Sequence, residues 1–381
     1  TKSWISQYLN CGQVNKASLT LRTPLDYLFL ESTLGFQMAL EASNTCLNFS
    51  SLELKAMDFH AEVDNYKLKG TLLGSDFYGS NIVSKISIDT DDNAFILSVD
   101  GEANGPLSSI INIYSKSQNK LVVFNKEILG THISSFSFYS PLENTFQLLG
   151  KKTELEINTK LKKGRLSFSN SNFKLENIFG SLNFNSTTGF HNSAVSFKVN
   201  SIPMQFGIHS VEKRNKSFTQ ASGNADIDLS RLLSFSELKN YFRGTSSFKI
   251  SLNLPSFMVD SEPHPTNLSI LSSLKGTEIL FPGPIGKVKE SEVSLNIQAV
   301  KRVNVNFPEI KFSYGKKFRG KFNAKPAVLE GFLIAGEKKQ SISILPDQIT
   351  LTGSLEEFNI SNLSMLGETE NIFPKWVIRD L

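Results

Sequence analysis

Five histidines, two cysteines and 36 acidic residues are the groups in this 381-residue chain with which chemistry could be done. His60, His132, His191, His209 and His264 stand far apart, without His-x-x-x-His or Cys-x-x-Cys spacing and without carboxylates at ligand distance in sequence. A metal ion needs three or four donors converging on one point, so no residue is assigned as a metal ligand. His209 follows Phe206 and Ile208 near the end of an apolar run and reads as a structural side chain. Asp89, Asp91 and Asp92 lack the twelve-residue calcium-loop pattern and read as a turn. The Gly-x-Ser-x-Gly elbow, the Gly-Lys-Ser/Thr phosphate loop and the Gly-x-Gly-x-x-Gly turn are missing too. These absences give a non-enzymatic reading, with no catalytic residue and no cofactor. Cys11 and Cys46 have no histidine beside them; they read either as a disulfide in an oxidising compartment or as two small buried thiols.

With catalysis set aside, composition carries more information. The chain is 40% hydrophobic and 20% charged, which excludes disorder. Its 30 Phe are about twice an ordinary share. So large an aromatic payload implies a wide apolar interior, or an apolar surface that something covers. The net charge is only +4. Short basic runs such as Lys316-Lys317-Phe318-Arg319 read as solvated strand ends, and no nucleic-acid partner is expected. No stretch of 18 apolar residues occurs, so no segment reads as a membrane-spanning helix. Asn-x-Ser/Thr triplets, at Asn48 and Asn185 among others, are what chance yields in an Asn- and Ser-rich chain; a secreted eukaryotic glycoprotein is the other reading.

The elements must be strands. Apolar residues recur with period two, which sends alternate side chains to opposite faces. Phe95, Leu97 and Val99 show it, as do Val195, Phe197 and Val199. It is longest at Phe248, Ile250, Leu252 and Leu254, and at Val293, Leu295, Ile297 and Ala299. Shorter runs lie at 155–157, 166–168, 182–184, 204–208, 303–307 and 342–344. The residues between are Ser, Asn, Lys, Thr and Glu, so one face is wet and the other apolar, the pattern of antiparallel sheet. Turn residues such as Asp91-Asp92-Asn93 and Tyr314-Gly315-Lys316 recur every 8 to 15 positions, as hairpins require. Three short helices are predicted. One follows the capping box Ser140-Pro141-Leu142-Glu143, with Phe146 and Leu149 as its stripe. Another opens at Gly105-Pro106 and carries Ile110, Ile111 and Tyr114. The third runs from about Leu229 to Phe242, capped by Asp228 and stopped at Gly244, with Leu232, Phe235, Leu238 and Phe242 on one side.

The expected fold class is mainly β: an elongated, curved antiparallel sheet, taco-like, with a few short helices. The polar, Pro-bearing stretch 256–267 is the expected divide, between a first part, 1–255, and a continuation, 268–381, cut at its end. Both termini lie in mid-pattern, and the chain reads as a piece of a longer protein. Roughly 17 strands at ~4.8 Å spacing would make a trough ~80 Å long. The same alternation also builds a dry sandwich or solenoid.

Several motifs, in order, resemble the YhdP family, AsmA-like proteins of Gram-negative bacteria. The strongest is Leu274-Lys275-Gly276 followed by Leu280-Phe281-Pro282-Gly283-Pro284-Ile285-Gly286-Lys287, similar to that family's "Leu-Lys-Gly … Leu-Pro-x-Pro-Leu-Gly-Lys". Gly12-Gln13-Val14 to Arg22-Thr23-Pro24-Leu25, Asp100 to Leu107, Gly180 to Asn185 and Ala221 to Leu229 fit the same order. The chain departs from it in Thr23 where Gly is usual, and in Gly283 within the Pro-x-Pro element. The resemblance implies a bridge-like lipid transfer protein, periplasmic and held in the inner membrane by an N-terminal helix that this chain lacks. It implies movement of phospholipid from inner to outer membrane, with acyl chains as the bound partner and the outer membrane or its proteins at the far end. The candidate lipid-lining residues are then Phe197, Phe206, Phe248, Ile250, Leu252, Leu295, Ile297 and Phe312. The alternative is a structural or interaction β-protein of the envelope without a lipid conduit.

Overall fold

A computed structural model describes residues 9–22, 35–49, 52–65, 67–77, 79–91, 94–117, 127–142, 153–167, 174–213, 216–234, 236–256, 265–281, 283–302, 305, 307–324, 329–336, 344, 346, 348–354 and 375–378. The chain is mainly β and overwhelmingly antiparallel, as the alternation predicts. Its internal contacts divide it into two compact units, 1–193 and 194–381.

The first unit is a meander in which each strand pairs with the next: β1 (Leu9–Arg22), β2 (Gly35–Phe49), β3 (Leu52–Asp64), β4 (Lys67–Phe77), β5 (Ser80–Asp91), β6 (Ala94–Pro106), β7 (Glu127–Leu142), β8 (Glu154–Ser167) and β9 (Lys174–Asn185). Among the described residues β1 pairs only with β2, and residues 11–22 are exposed throughout. Cys11 stands opposite Cys46 in that pair and the two form a disulfide, Cα to Cα 5.0 Å, which decides between the two readings of the cysteines. One helix, α1 (Leu107–Ser117), follows β6 where Gly105-Pro106 predicts it.

The first residues of the Ser140 capping box are strand, and the rest of the helix predicted there lies outside the described residues. Ser140, Pro141 and Leu142 complete β7, paired to Leu97, Ile96 and Phe95. Ser140 is buried with its Oγ 2.9 Å from Thr153 Oγ1, and Leu142 is buried on the apolar face. Cross-strand pairing and burial outweigh the local capping signal. Phe146 and Leu149 lie outside the described residues.

The second unit begins within β10 (Gly189–Val199). It continues through β11 (Ile202–Lys213), β12 (Lys216–Asp228), β13 (Phe242–Pro255), β14 (Thr266–Ser272), β15 (Thr277–Ile279), β16 (Leu295–Lys301), β17 (Glu309–Tyr314), β18 (Phe318–Ala324), β19 (Leu329–Ala335), β20 (Gln348–Gly353) and β21 (Lys375–Ile378). β13 is long enough to pair twice, with β14 along its second half and with β15 along its first. β14 then pairs with β16, so the β15 segment leaves the main ladder. β13 and β14, on either side of the Pro-bearing stretch, are therefore direct neighbours in one sheet. The last two pairings, β19 with β20 and β20 with β21, are parallel. Around them both faces are buried: Ile349 and Leu351 on one side, Thr350 and Thr352 on the other.

The third predicted helix is broken in two. Asp228 does cap, accepting from the Ser230 amide at 2.9 Å, but α2 ends after Leu229–Leu232. A 3-10 turn at Glu237–Tyr241, capped by Ser236, follows, and Phe242 already belongs to β13, as does Gly244. The helical spacing of Leu232, Leu238 and Phe242 is real, but Arg243 and Gly244 are claimed by pairing with Glu278 and Thr277. Phe235 lies outside the described residues.

Candidate functional site

Hairpin register lines up the alternating residues of successive strands, so a period-two pattern becomes continuous rows crossing the sheet. In the second unit one row begins with Phe206 against Gly223. It runs on through Ile250, Ile270, Ile297, Phe312, Gly320, Leu333 and Leu351, each directly opposite the next. Nine strands contribute without a polar side chain, a distance of about 38 Å at the usual interstrand spacing. A parallel row holds Ala221, Leu252, Leu268, Ala299, Ile310, Phe322, Gly331 and Ile349. In the first unit the matching row is Val14, Ala42, Phe59, Leu72, Ser84, Gly101, Phe136, Ile157 and Phe184, with one hydroxyl in nine positions. The opposite faces carry the charges: Lys67 pairs with Asp89 at 2.9 Å, and Lys321 with Glu309 at 3.0 Å.

The structure brings all eight sequence-derived candidates to the apolar side of the second unit. Phe206, Ile250, Ile297 and Phe312 share the first row, and Leu252 lies in the second. Phe248 and Leu295 lie in a third row toward one margin. Phe197 stacks edge-on against Phe206, centroids 5.3 Å apart. Their burial differs. Phe248 is 3% exposed, inside a cluster with Ile202, Met204, Ala225, Ile227, Leu274, Ile279, Tyr314 and Phe318. Phe197, Phe206, Leu252, Leu295, Ile297 and Phe312 are only half-buried.

The margin that holds Phe248 is covered by the protein's own chain. α2 brings Leu229 and Leu232, the start of β13 brings Phe242, and residues 274–293 bring Leu274, Phe281, Ile285 and Val293. Leu274-Lys275-Gly276 and the element ending in Lys287 build this cover, and their constraints are structural. Gly276 sits at φ +93, and any Cβ there would collide with the Thr245 carbonyl oxygen on β13. Lys287 is 6% exposed, and its Nζ donates to the carbonyls of Thr277 (2.7 Å) and Val288 (2.9 Å). Burial pulls its pKa down, opposed by Glu290 and Glu292. Tyr314, below the cover, donates its hydroxyl to the Ile285 carbonyl at 2.8 Å, and burial pushes its pKa up to about 12.

The first unit has a covered margin of another kind, which the sequence reading missed. Ser80 on β5, Ser109 on α1, His132 and Ser134 on β7 and Thr159 on β8 form a buried polar chain. His132 Nε2 lies 3.0 Å from Ser80 Oγ and 2.9 Å from Ser109 Oγ, and Nδ1 lies 3.0 Å from Ser134 Oγ. Ser134 Oγ reaches Thr159 Oγ1 at 2.8 Å. A serine against a histidine is half of a nucleophilic pair. Here Ser109 donates to the Pro106 carbonyl at 2.7 Å, and Nδ1 meets a hydroxyl rather than a carboxylate. With both serines at most 1% exposed, the arrangement docks the start of α1 onto the sheet and offers substrate no approach. Burial lowers the His132 pKa. The signal available in the sequence was Ser80, Ser109 and Ser134 at inward positions, legible only once register is known. His209, by contrast, is exposed.

Among the described residues no group of three His, Cys, Asp or Glu stands close enough to hold a metal ion, and no helix is long and apolar enough to cross a membrane. No curated protein and no solved structure matches the chain. The sequence model described as "YhdP protein" matches residues 1–377, and the chain belongs to the YhdP family, an envelope family for which membership suggests lipid transport.

Proposed function

We propose that this YhdP-family chain carries phospholipid through the cell envelope by holding acyl chains on the apolar side of its sheets, without catalysing a reaction. The observation that carries the reading is the uninterrupted apolar row of the second unit, nine strands wide, in which Phe206, Ile270, Ile297, Phe312 and Leu333 stay half-buried while Ile250 and Leu351 are packed inside. Hydrocarbon laid on such a row gains about 0.8 kcal/mol per CH₂ removed from water. Because successive positions are chemically alike, a tail would pass from Ile250 to Ile270 to Ile297 without a deep well. The head group would stay in water, so no polar recognition site is required. The Cys11–Cys46 disulfide suits an oxidising compartment, which supports a periplasmic location. Attachment to the inner membrane and delivery to the outer membrane or its proteins belong to the same proposal.

Charges placed on the row test it. Ile297→Asp with Phe312→Asp sets two carboxylates directly opposite each other on half-buried positions. The doubly substituted protein should fold, lose photocrosslinking to an acyl-labelled phospholipid and fail to complement loss of the native protein. Wild-type crosslinking and complementation in that variant would refute the proposal. A structural envelope protein with a dry interior is the second reading, and the self-packed cluster around Phe248 favours it. On that reading the same variant sets two carboxylates into a packed interior and should lose melting temperature, while the wild type takes up no lipid probe at all.

A further inference from the structure

Glycine recurs on the apolar side of both units at positions where an aromatic residue stands opposite. Gly101 pairs with Phe136, and Gly331 pairs with Phe322. Gly223 lies against Phe206. A Cβ built on Gly101 would fall 2.6 Å from Phe136 Cζ; on Gly223, 2.7 Å from Phe206 Cδ1; on Gly331, 2.7 Å from Phe322 Cδ1. The Phe322 ring also overlies Gly320, two residues earlier on its own strand, where a Cβ would fall 2.8 Å from its Cε2. A ring atom therefore occupies part of the space of each missing side chain; at Gly223 and Gly331 a backbone carbonyl oxygen, of Gln205 and Lys321, stands nearer still. Strand side chains ordinarily stand roughly perpendicular to the sheet. These three rings instead lean across onto the neighbouring strand, covering a glycine that would otherwise leave backbone bare. All three are half-buried, so the outer side of each ring remains part of the apolar surface.

We propose that these three glycine–phenylalanine pairs set the depth of the apolar side: each ring lies down in its glycine's footprint, and the room left above it admits an acyl chain. The inference rests on the lipid-carrying reading and adds to it the residues that decide how much hydrocarbon fits. It explains why a chain so rich in Phe does not fill its own apolar rows, since an aromatic opposite glycine contributes floor area with little height. It also separates Phe322, outside the core cluster, and Phe206, at the cluster's half-buried edge, from Phe248, which is 3% exposed under the protein's own cover.

The test uses the full chain and a diazirine-tailed phosphatidylethanolamine, delivered from phosphatidylethanolamine–phosphatidylglycerol vesicles. In Phe206→Trp with Phe322→Trp the indoles are too large for the glycine footprints and must rise into the space above. Crosslinking at Ile297 should fall at least five-fold with the melting profile retained. In Phe206→Leu with Phe322→Leu the floor drops, and crosslinks should appear at Gly223 and Gly331, which the wild-type rings shield. A folded Trp pair that crosslinks like the wild type, or a Leu pair whose crosslink positions are unchanged, overturns the depth assignment alone. A wild-type chain that takes up no probe overturns both that assignment and the lipid-carrying function.

Discussion

Opening the Cys11–Cys46 bond should release β1 while leaving the rest of the first unit intact. The bond joins residues 35 apart in sequence, and chain-entropy accounting assigns about 4 kcal/mol to a loop of that size. Little else holds the strand by burial: Val14 is 60% and Leu19 63% exposed, although both sit on the apolar side. Its remaining tie is the ladder to β2, interrupted by register shifts at Leu9/Cys11, Cys11/Gln13 and Val14/Lys16. At 1.4 kcal/mol per factor of ten, the opening equilibrium of the β1–β2 pair should rise by up to about three powers of ten. Amide hydrogen exchange with and without reductant, and in Cys11→Ser with Cys46→Ser, reads this directly. Protection should collapse across residues 11–22 and persist in β5 to β8, whose apolar side is partly buried. Equal protection of β1 in oxidised and reduced protein would refute the reasoning, since the ladder alone would then suffice.

Three further outcomes follow from the geometry. Because burial holds His132 below its ordinary 6.5, the folded protein resists taking up the proton that the unfolded chain accepts. The stability this group contributes is complete above that pH and is lost as the pH falls below it; wild type should therefore lose more melting temperature between pH 7.5 and 5.5 than His132→Gln, and parallel losses would contradict it. Gly276→Ala, strained at φ +93 against the Thr245 carbonyl, should cost about 1–3 kcal/mol or more. Gly207→Ala, where the nearest atom is 4.0 Å away, should be neutral or slightly stabilising in the same melts. Tyr314→Phe removes the hydrogen bond to the Ile285 carbonyl and should cost about 1 kcal/mol, with faster proteolysis of residues 274–293 as its local signature.

Alternation made the faces legible before any coordinates, because period two is a local property of each strand. Phe248, Ile250 and Leu252 had to share a side, and hairpin turns then carried that side onto Leu295, Ile297 and Phe312. What local pattern does not encode is which part of a face the chain itself covers. Leu274, Phe281 and Ile285 stand in the sequence only as parts of a motif, until β15 is seen to leave the main ladder and its segment to fold over Phe248. Leu229–Phe242 carries a genuine helix signal that loses to strand pairing a few residues away, and Ser140-Pro141-Leu142 is taken up by β7 in spite of its capping pattern. The buried Ser80–Ser109–His132–Ser134–Thr159 chain draws on four separate elements, so no spacing in the sequence announces it. The same holds for the glycines beneath Phe136, Phe206 and Phe322, which in sequence are only glycines within strands.

Native mass spectrometry of the full chain, released gently from cells, would weigh what sits on these rows. Phospholipid retained by the wild type and absent from Ile297→Asp with Phe312→Asp is the predicted result. A wild-type chain that emerges free of lipid, and stays so after incubation with phospholipid vesicles, would contradict it.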